Sequence, residues 1–123
     1  MVVDGANVLG AGARGWWRDR PGAMLRLADR LAAYAAASGQ AIDLVLDAPD
    51  VPAGGHDGIV VHHATRRGRD AADDRIRELL AERDPTDIEV VTSDRALRDD
   101  ARHAGAQVVG AGTFLARLDE LGC

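Results

Sequence analysis

The chain has a single cysteine, Cys123, and no lysine. One thiol cannot build a disulfide framework or a cysteine-based zinc site, and so low a thiol content fits a reducing cytoplasm. All 15 basic residues are arginine. A phosphate loop of the Gly-Lys-Ser/Thr type needs a lysine, so GANVLGAG only mimics one. Phosphorylation receiver domains, which also use strand-end aspartates, normally depend on a lysine too. Also missing is any apolar run long enough to cross a bilayer, and no leader-like segment stands ahead of the first apolar stretch. No internal repeat, linker or low-complexity segment breaks the chain. These absences point to a cytoplasmic globular protein with no membrane partner.

What remains is 123 residues, read as one domain over 1–123 and long enough to bury a core. The net charge of −5 argues against a general nucleic-acid coat protein. It is compatible with a nuclease, because carboxylates that gather a metal supply much of the negative count. Residues 1–4 read as a buried strand ending on an acid, and 5–20 as a loop. A helix is expected over 21–38, with Asp19 or Arg20 at its start, Pro21 in its first turn and Gly39 closing it. Strands are expected at 41–48 and 58–64, a helix at about 70–83, and a fourth strand in DIEVVTSD ending on Asp94. A helix over 94–104, a short strand in AQVVG and a helix over 112–121 complete the chain. Strands alternating with helices imply a parallel sheet with helices on its faces, and the crevice of such a sheet lies beyond the strands' carboxyl ends.

GAGARG matches the dinucleotide pattern G-x-G-x-x-G. That motif needs its first glycine directly after the strand and its last at a helix start. Here Gly10 lies six residues past Asp4, and WWRDR separates Gly15 from Pro21. Asp47, the one acid available for the ribose, lies 32 residues past Gly15. A flexible Gly/Ala loop fits better.

The carboxylates are the stronger signal. Asp4, Asp47 and Asp94 each end a strand, so a parallel sheet brings them to one edge. Like charges brought together raise one another's pKa, a cost that a divalent cation with hard-oxygen preference offsets. In GRDAADDRIRELL, at about 100° per residue, Ala72, Ile76, Leu79 and Leu80 form the buried arc. Asp73 falls on its shoulder, Asp74 points to solvent, and Asp70 sits at the helix start, where N-cap and capping-box spacing offers a purely structural role. Asp94 has the same alternative as a cap. Asp99 and Asp100 read as solvated. Each acid taken singly reads most simply as a cap or turn residue; the set at one edge does not. His62 and His63 face opposite sides of a strand, one toward the core and one under a helix. Neither has a partner at zinc spacing, and His56 and His103 read as surface residues.

VVDGANVLG, GRDAADDRI and VVTSDRALRDDARHAGAQVV, in this order and spacing, resemble the YacP-like branch of the NYN domains, which are PIN-like metal-dependent ribonucleases. The resemblance implies a Rossmann-like three-layer α/β/α sandwich with about five parallel strands in the order 3-2-1-4-5. It matches Asp4 to the family's first acid, Asn7 to its companion asparagine, Asp73 to the acid of the helix and Asp94 to that of the T-S-D motif. Asp70 stands where relatives often carry Glu, and a side chain one methylene shorter reaches a metal directly or through water. Asp4, Asp70, Asp73 and Asp94 would hold one or two Mg²⁺ or Mn²⁺ ions, with Asp47, Thr92 and Ser93 around them. Asp4 and Asp94 would be the central ligands, and Asn7 would orient water or the scissile phosphate. A 5′-phosphate product follows from family analogy alone. The first strand begins at Met1; either it is short or the true start lies upstream.

The implied activity is endonucleolytic hydrolysis of RNA, whether mRNA, rRNA or tRNA, with the ribosome as one setting. Arg14, Arg18, Arg66, Arg67 and Arg69 are candidate phosphate contacts, and Trp16 and Trp17 candidate base-stacking residues. The bland alternatives are a solvated arginine loop, and tryptophans that anchor the loop or a homodimer contact. Rival readings are an inactive PIN-like module that only docks RNA or protein, and a toxin of a toxin–antitoxin pair with the same chemistry. A haloacid-type phosphatase needs Asp-x-Asp, whereas Asp4 is followed by Gly5 and Ala6.

Overall fold

Residues of the sheet alternate between two separate cores, which is what a strand with side-chain period 2 buries when helices cover both faces. A computed structural model describes every residue of the chain except Ala13, Pro52, Ala53 and Arg69. Its strands are β1 (Val2–Asp4), β2 (Ile42–Leu46), β3 (Ile59–His63), β4 (Glu89–Val91) and β5 (Gln107–Val109). Its helices are α1 (Gly5–Ala11), α2 (Arg20–Ser38), α3 (Ala71–Glu82), α4 (Arg95–Ala104) and α5 (Ala111–Glu120). All four strand pairings are parallel, in the order β3-β2-β1-β4-β5. Val3, Leu44, Leu46 and Val91 pack with α1, α2 and α5 through Val8, Met24, Leu31 and Phe114. Val2, Val45 and Val90 pack with α3 and α4 through Ile76, Leu79 and Leu97. This is the expected α/β/α sandwich with the expected strand order.

That parity fixes the site. Asp4 follows Val2 on the face of α3 and α4, and Thr92 follows Val90 on the same face, since Val2 stands opposite Val90 in the register. The chain runs outward from β1 through β2 to β3, then returns to β4 on the other side of β1. The ends of β1 and β4 therefore flank the point where strand order reverses, the position where α/β sheets bind ligands.

One expected loop is not a loop. Within residues 5–20, Gly5–Ala11 form α1, Trp16–Asp19 a 3-10 turn, and Arg20 begins α2. Glycine-rich GANVLGA has poor helix propensity, but burial of Val8 and Leu9 overrides it. The three glycines of GAGARG do not form a phosphate-binding turn at the start of an α-helix. Gly10 lies inside α1, Gly12 caps it, and Gly15 has a left-handed φ of 76°. Asp19 does cap α2, accepting from the Gly22 N–H at 3.2 Å.

The β3 histidines also differ from expectation. Neither enters the core: His62 is half-buried and His63 exposed. His62 Nε2 lies 2.7 Å from the buried Asp43 carboxylate, which Arg83 also grips, and His63 Nε2 lies 2.8 Å from the Val51 carbonyl. Burial pushes the Asp43 carboxyl up, but the hydrogen bonds from Arg83 and His62 outweigh it and hold the group below the usual range. A buried carboxylate in β2 with such partners is a structural tie between sheet and α3 end. His56 is half-buried beside Asp29, at 2.9 Å.

Candidate active site

Asp4 is the last residue of β1 and only 4% exposed. Thr92, fully buried, donates from Oγ1 to Asp4 Oδ2 at 3.0 Å, and the same hydroxyl accepts from the Asp94 N–H at 3.1 Å. One side chain thus links the ends of β1 and β4. Asp94 Oδ1 accepts from the Leu97 N–H at 2.9 Å, so Asp94 caps α4 with one oxygen. The capping alternative is real, and it does not engage the other oxygen.

Asp73, in the first turn of α3, is 9% exposed. Burial, against the opposing Thr92 hydroxyl and with smaller contributions from Asp73 and Asp94, pushes the Asp4 carboxyl up to about 6. Asp73 is likewise raised by burial, then by Asp94 and, more weakly, by Asp70 and Asp74, with Arg77 opposing. Asp4 therefore feels both Asp73 and Asp94, and Asp73 feels Asp94. Asp70 stands at the N-cap of α3 but makes no capping hydrogen bond, so its carboxylate is an exposed member of the same group.

Asn7, in α1, accepts at Oδ1 from the Ser93 N–H at 2.8 Å, and Ser93 Oγ accepts from the Ala111 N–H at 2.8 Å. The T-S-D turn is thus pinned by α1 on one side and by the start of α5 on the other. The Asp-Gly pairing has a steric basis: a Cβ on Gly5 would stand 3.1 Å from both Leu44 Cδ1 and the Val45 carbonyl oxygen. Only glycine lets α1 start directly against β2.

Asp47 follows β2, but its carboxylate is engaged by the Arg20 guanidinium, which also lies 5.9 Å from the Trp16 ring. Trp16 is half-buried against the α2 core, whereas Trp17 is 62% exposed, its ring 6.3 Å from Trp16. The anchoring alternative thus describes Trp16, and Trp17 is the ring free to stack. Arg14 and Arg18 are exposed. Arg66 and Arg67, expected beside the crevice, are paired at 2.5 Å with Asp74 and Asp50. Arg69 lies outside the described residues.

The donor set fits a hard divalent cation: carboxylate oxygens, of which those of Asp4 and Asp73 are raised by burial and by neighbouring acids, a cost that a bound cation removes. No three His, Cys, Asp or Glu side chains among the described residues are gathered closely enough to hold an ion as they stand. Sequence reasoning missed Arg20, which holds Asp47, and Arg98, whose Nε is buried without a hydrogen-bond partner among the described residues. The i, i+3, i+7 spacing of Arg95, Arg98 and Arg102 was the available signal.

A parallel sheet wound in this order, with buried acids at its switch point, defines a PIN-like α/β domain. The sequence profile of the YacP-like NYN domain matches residues 1–122, and the chain belongs to this family of nuclease-like domains. Among solved structures it is similar to Rae1 (YacP) from Bacillus subtilis, with a TM-score of 0.78 and 23% identity over 98% of this chain and 74% of that one. A tryptophan-to-leucine mutant of the same protein gives a TM-score of 0.78 and 24% identity, covering 98% and 75%. At these identities the likeness shows the fold alone. No curated protein sequence matches the chain significantly. Among the described residues, no helix is long and apolar enough to cross a membrane.

Proposed function

We propose that the chain is a metal-dependent endoribonuclease whose centre is Asp4, Asp73 and Asp94. The observation that carries this reading is the placement of Asp4 and Asp94 at the adjoining carboxyl ends of β1 and β4, joined through Thr92, where burial and neighbouring acids raise Asp4 to about 6. Burying like charges at one edge serves no packing purpose, and the Thr92 and Asn7 hydrogen bonds keep them there. Asp4, Asp73 and Asp94, with Asp70 at the rim, would hold Mg²⁺ or Mn²⁺. When bound, the cation supplies charge relief to a phosphate and acidifies a water.

The other side chains position and bind. Thr92 orients Asp4 and fixes the Asp94 backbone. Asn7 has its carbonyl oxygen engaged by Ser93, which leaves its amide N–H groups as donors for a phosphate oxygen. Trp17, exposed near the amino end of α2, offers a face for an unpaired base. RNA is the proposed substrate.

The test is incubation with labelled single-stranded and structured RNA in Mn²⁺ or Mg²⁺, beside an EDTA control and Asp4→Asn. Cleavage that EDTA and the substitution both abolish is expected. Cleavage that survives either one would contradict the reading, and binding without cleavage would favour a docking module.

A further inference from the structure

A second set of arginines, which the sequence motifs did not single out, begins directly after Asp94. α4 starts immediately after Asp94, and Arg95, Arg98 and Arg102 recur along it at i, i+3 and i+7. At about 100° per residue these three fall within an arc of roughly 60°. Leu97 and Ala101 face the sheet, and Asp100 lies on the opposite flank, held by Arg77 of α3 at 2.8 Å. With Ser93 and Asp99 the three arginines line a shallow concavity of about 400 Å³ that opens beside the T-S-D turn.

The charges in this concavity are poorly compensated. Among the described residues Arg95 and Arg98 have no carboxylate partner within ion-pair distance, and Arg102 meets only Asp99, at 3.9 Å with both side chains more than half exposed. A pair that long and that wet is worth little. Arg66 and Arg67, by contrast, already sit against carboxylates at 2.5 Å. The Nε of Arg98 is buried with no hydrogen-bond partner among the described residues. In a chain of net charge −5 this is a local positive surface beside a negative centre.

We propose that the outer face of α4 is the RNA-backbone track that leads from the acid cluster, with Arg95, Arg98 and Arg102 as its phosphate contacts. From Arg95 to Arg102 the helix advances about 10 Å at about 1.5 Å per residue, long enough for the arginines to meet more than one phosphate of a single strand. The track gives the negative centre what it lacks, an attraction for a polyanion placed where it draws the chain across Asp94. The inference rests on the ribonuclease reading for the identity of the polyanion, and its test is separable from cleavage.

Binding of a fluorescein-labelled oligouridylate is measured by anisotropy in EDTA at increasing KCl. The proteins are wild type, the triple variant Arg95→Gln/Arg98→Gln/Arg102→Gln, the charge-keeping triple lysine variant and Arg66→Gln/Arg67→Gln. The glutamine triple variant is expected to bind roughly tenfold or more weakly at low salt, with a log–log salt slope shallower by about 2. The lysine variant should bind much as wild type does, which also controls for any fold defect at Arg98. Unchanged binding and slope in the glutamine triple, or a loss confined to the Arg66/Arg67 variant, would overturn the proposal. A protein that binds along α4 yet never cleaves leaves the track standing and removes the ribonuclease reading.

Discussion

Asp4 carries the largest tension in the site. Its folded-state pKa of about 6 lies above the ordinary 3.8, so between about pH 4 and pH 6 the folded chain keeps a proton that the unfolded chain has released. Stability then falls as pH rises through that window, by an amount of the order of 3 kcal/mol from this group. Asp4→Asn removes the titration. In metal-free buffer the variant should match wild type near pH 4 and be more stable by up to that amount above about pH 7, as read from urea melts. A stability difference independent of pH would contradict the assignment. Thr92 supplies the opposite influence, since its hydroxyl is the donor that lowers Asp4. Thr92→Val keeps the shape, removes that donor and leaves the Asp94 N–H unpaired, at a cost of about 1–2 kcal/mol. The acid limb of its cleavage profile should move to higher pH, because Asp4 holds its proton longer. An unmoved limb would make Thr92 a packing residue and nothing more.

At the scale of elements, α1 is the part of the site with least support from its own sequence. It is a seven-residue helix containing two glycines, and it exists because Val8 and Leu9 are buried and Gly5 fits against β2. An added Cβ at Gly5 would meet the Val45 carbonyl, which belongs to a central strand and cannot give way. Gly5→Ala should therefore cost about 1–3 kcal/mol and draw Asn7 away from Ser93, lowering cleavage as well as the urea midpoint. Gly112→Ala, within α5 where an added Cβ meets nothing within 4 Å, is the contrasting control and should leave cleavage unchanged and the urea midpoint equal or higher. Equal effects at the two positions would show that the close approach of α1 to β2 is not what matters.

For the molecule as a whole, the parallel sheet with helices on both faces was legible in the sequence, and its strand order through the resemblance to the NYN domains. The short apolar runs in VVD and EVV, buried on both faces, and the helix caps at Asp19, Gly39 and Gly105 are local signals that agree with the tertiary arrangement. The helix at 5–11 was not legible, because its glycines argue against the state that burial imposes. Nor were the partners of charged side chains: that Asp47 is taken by Arg20, that Asp43 ties His62 and Arg83, and that Arg66 and Arg67 are paired while Arg95 and Arg98 have no carboxylate partner among the described residues. Those facts depend on which side chains meet across the fold, and linear spacing does not encode that. The central claim, that the three acids form one cation site, is tested most directly by Mn²⁺ titration calorimetry at pH about 7 on wild type, Asp4→Asn and Asp94→Asn. The account predicts that wild type binds Mn²⁺ and that each substitution weakens binding by about tenfold or more. Equal Mn²⁺ affinity in all three proteins would contradict it.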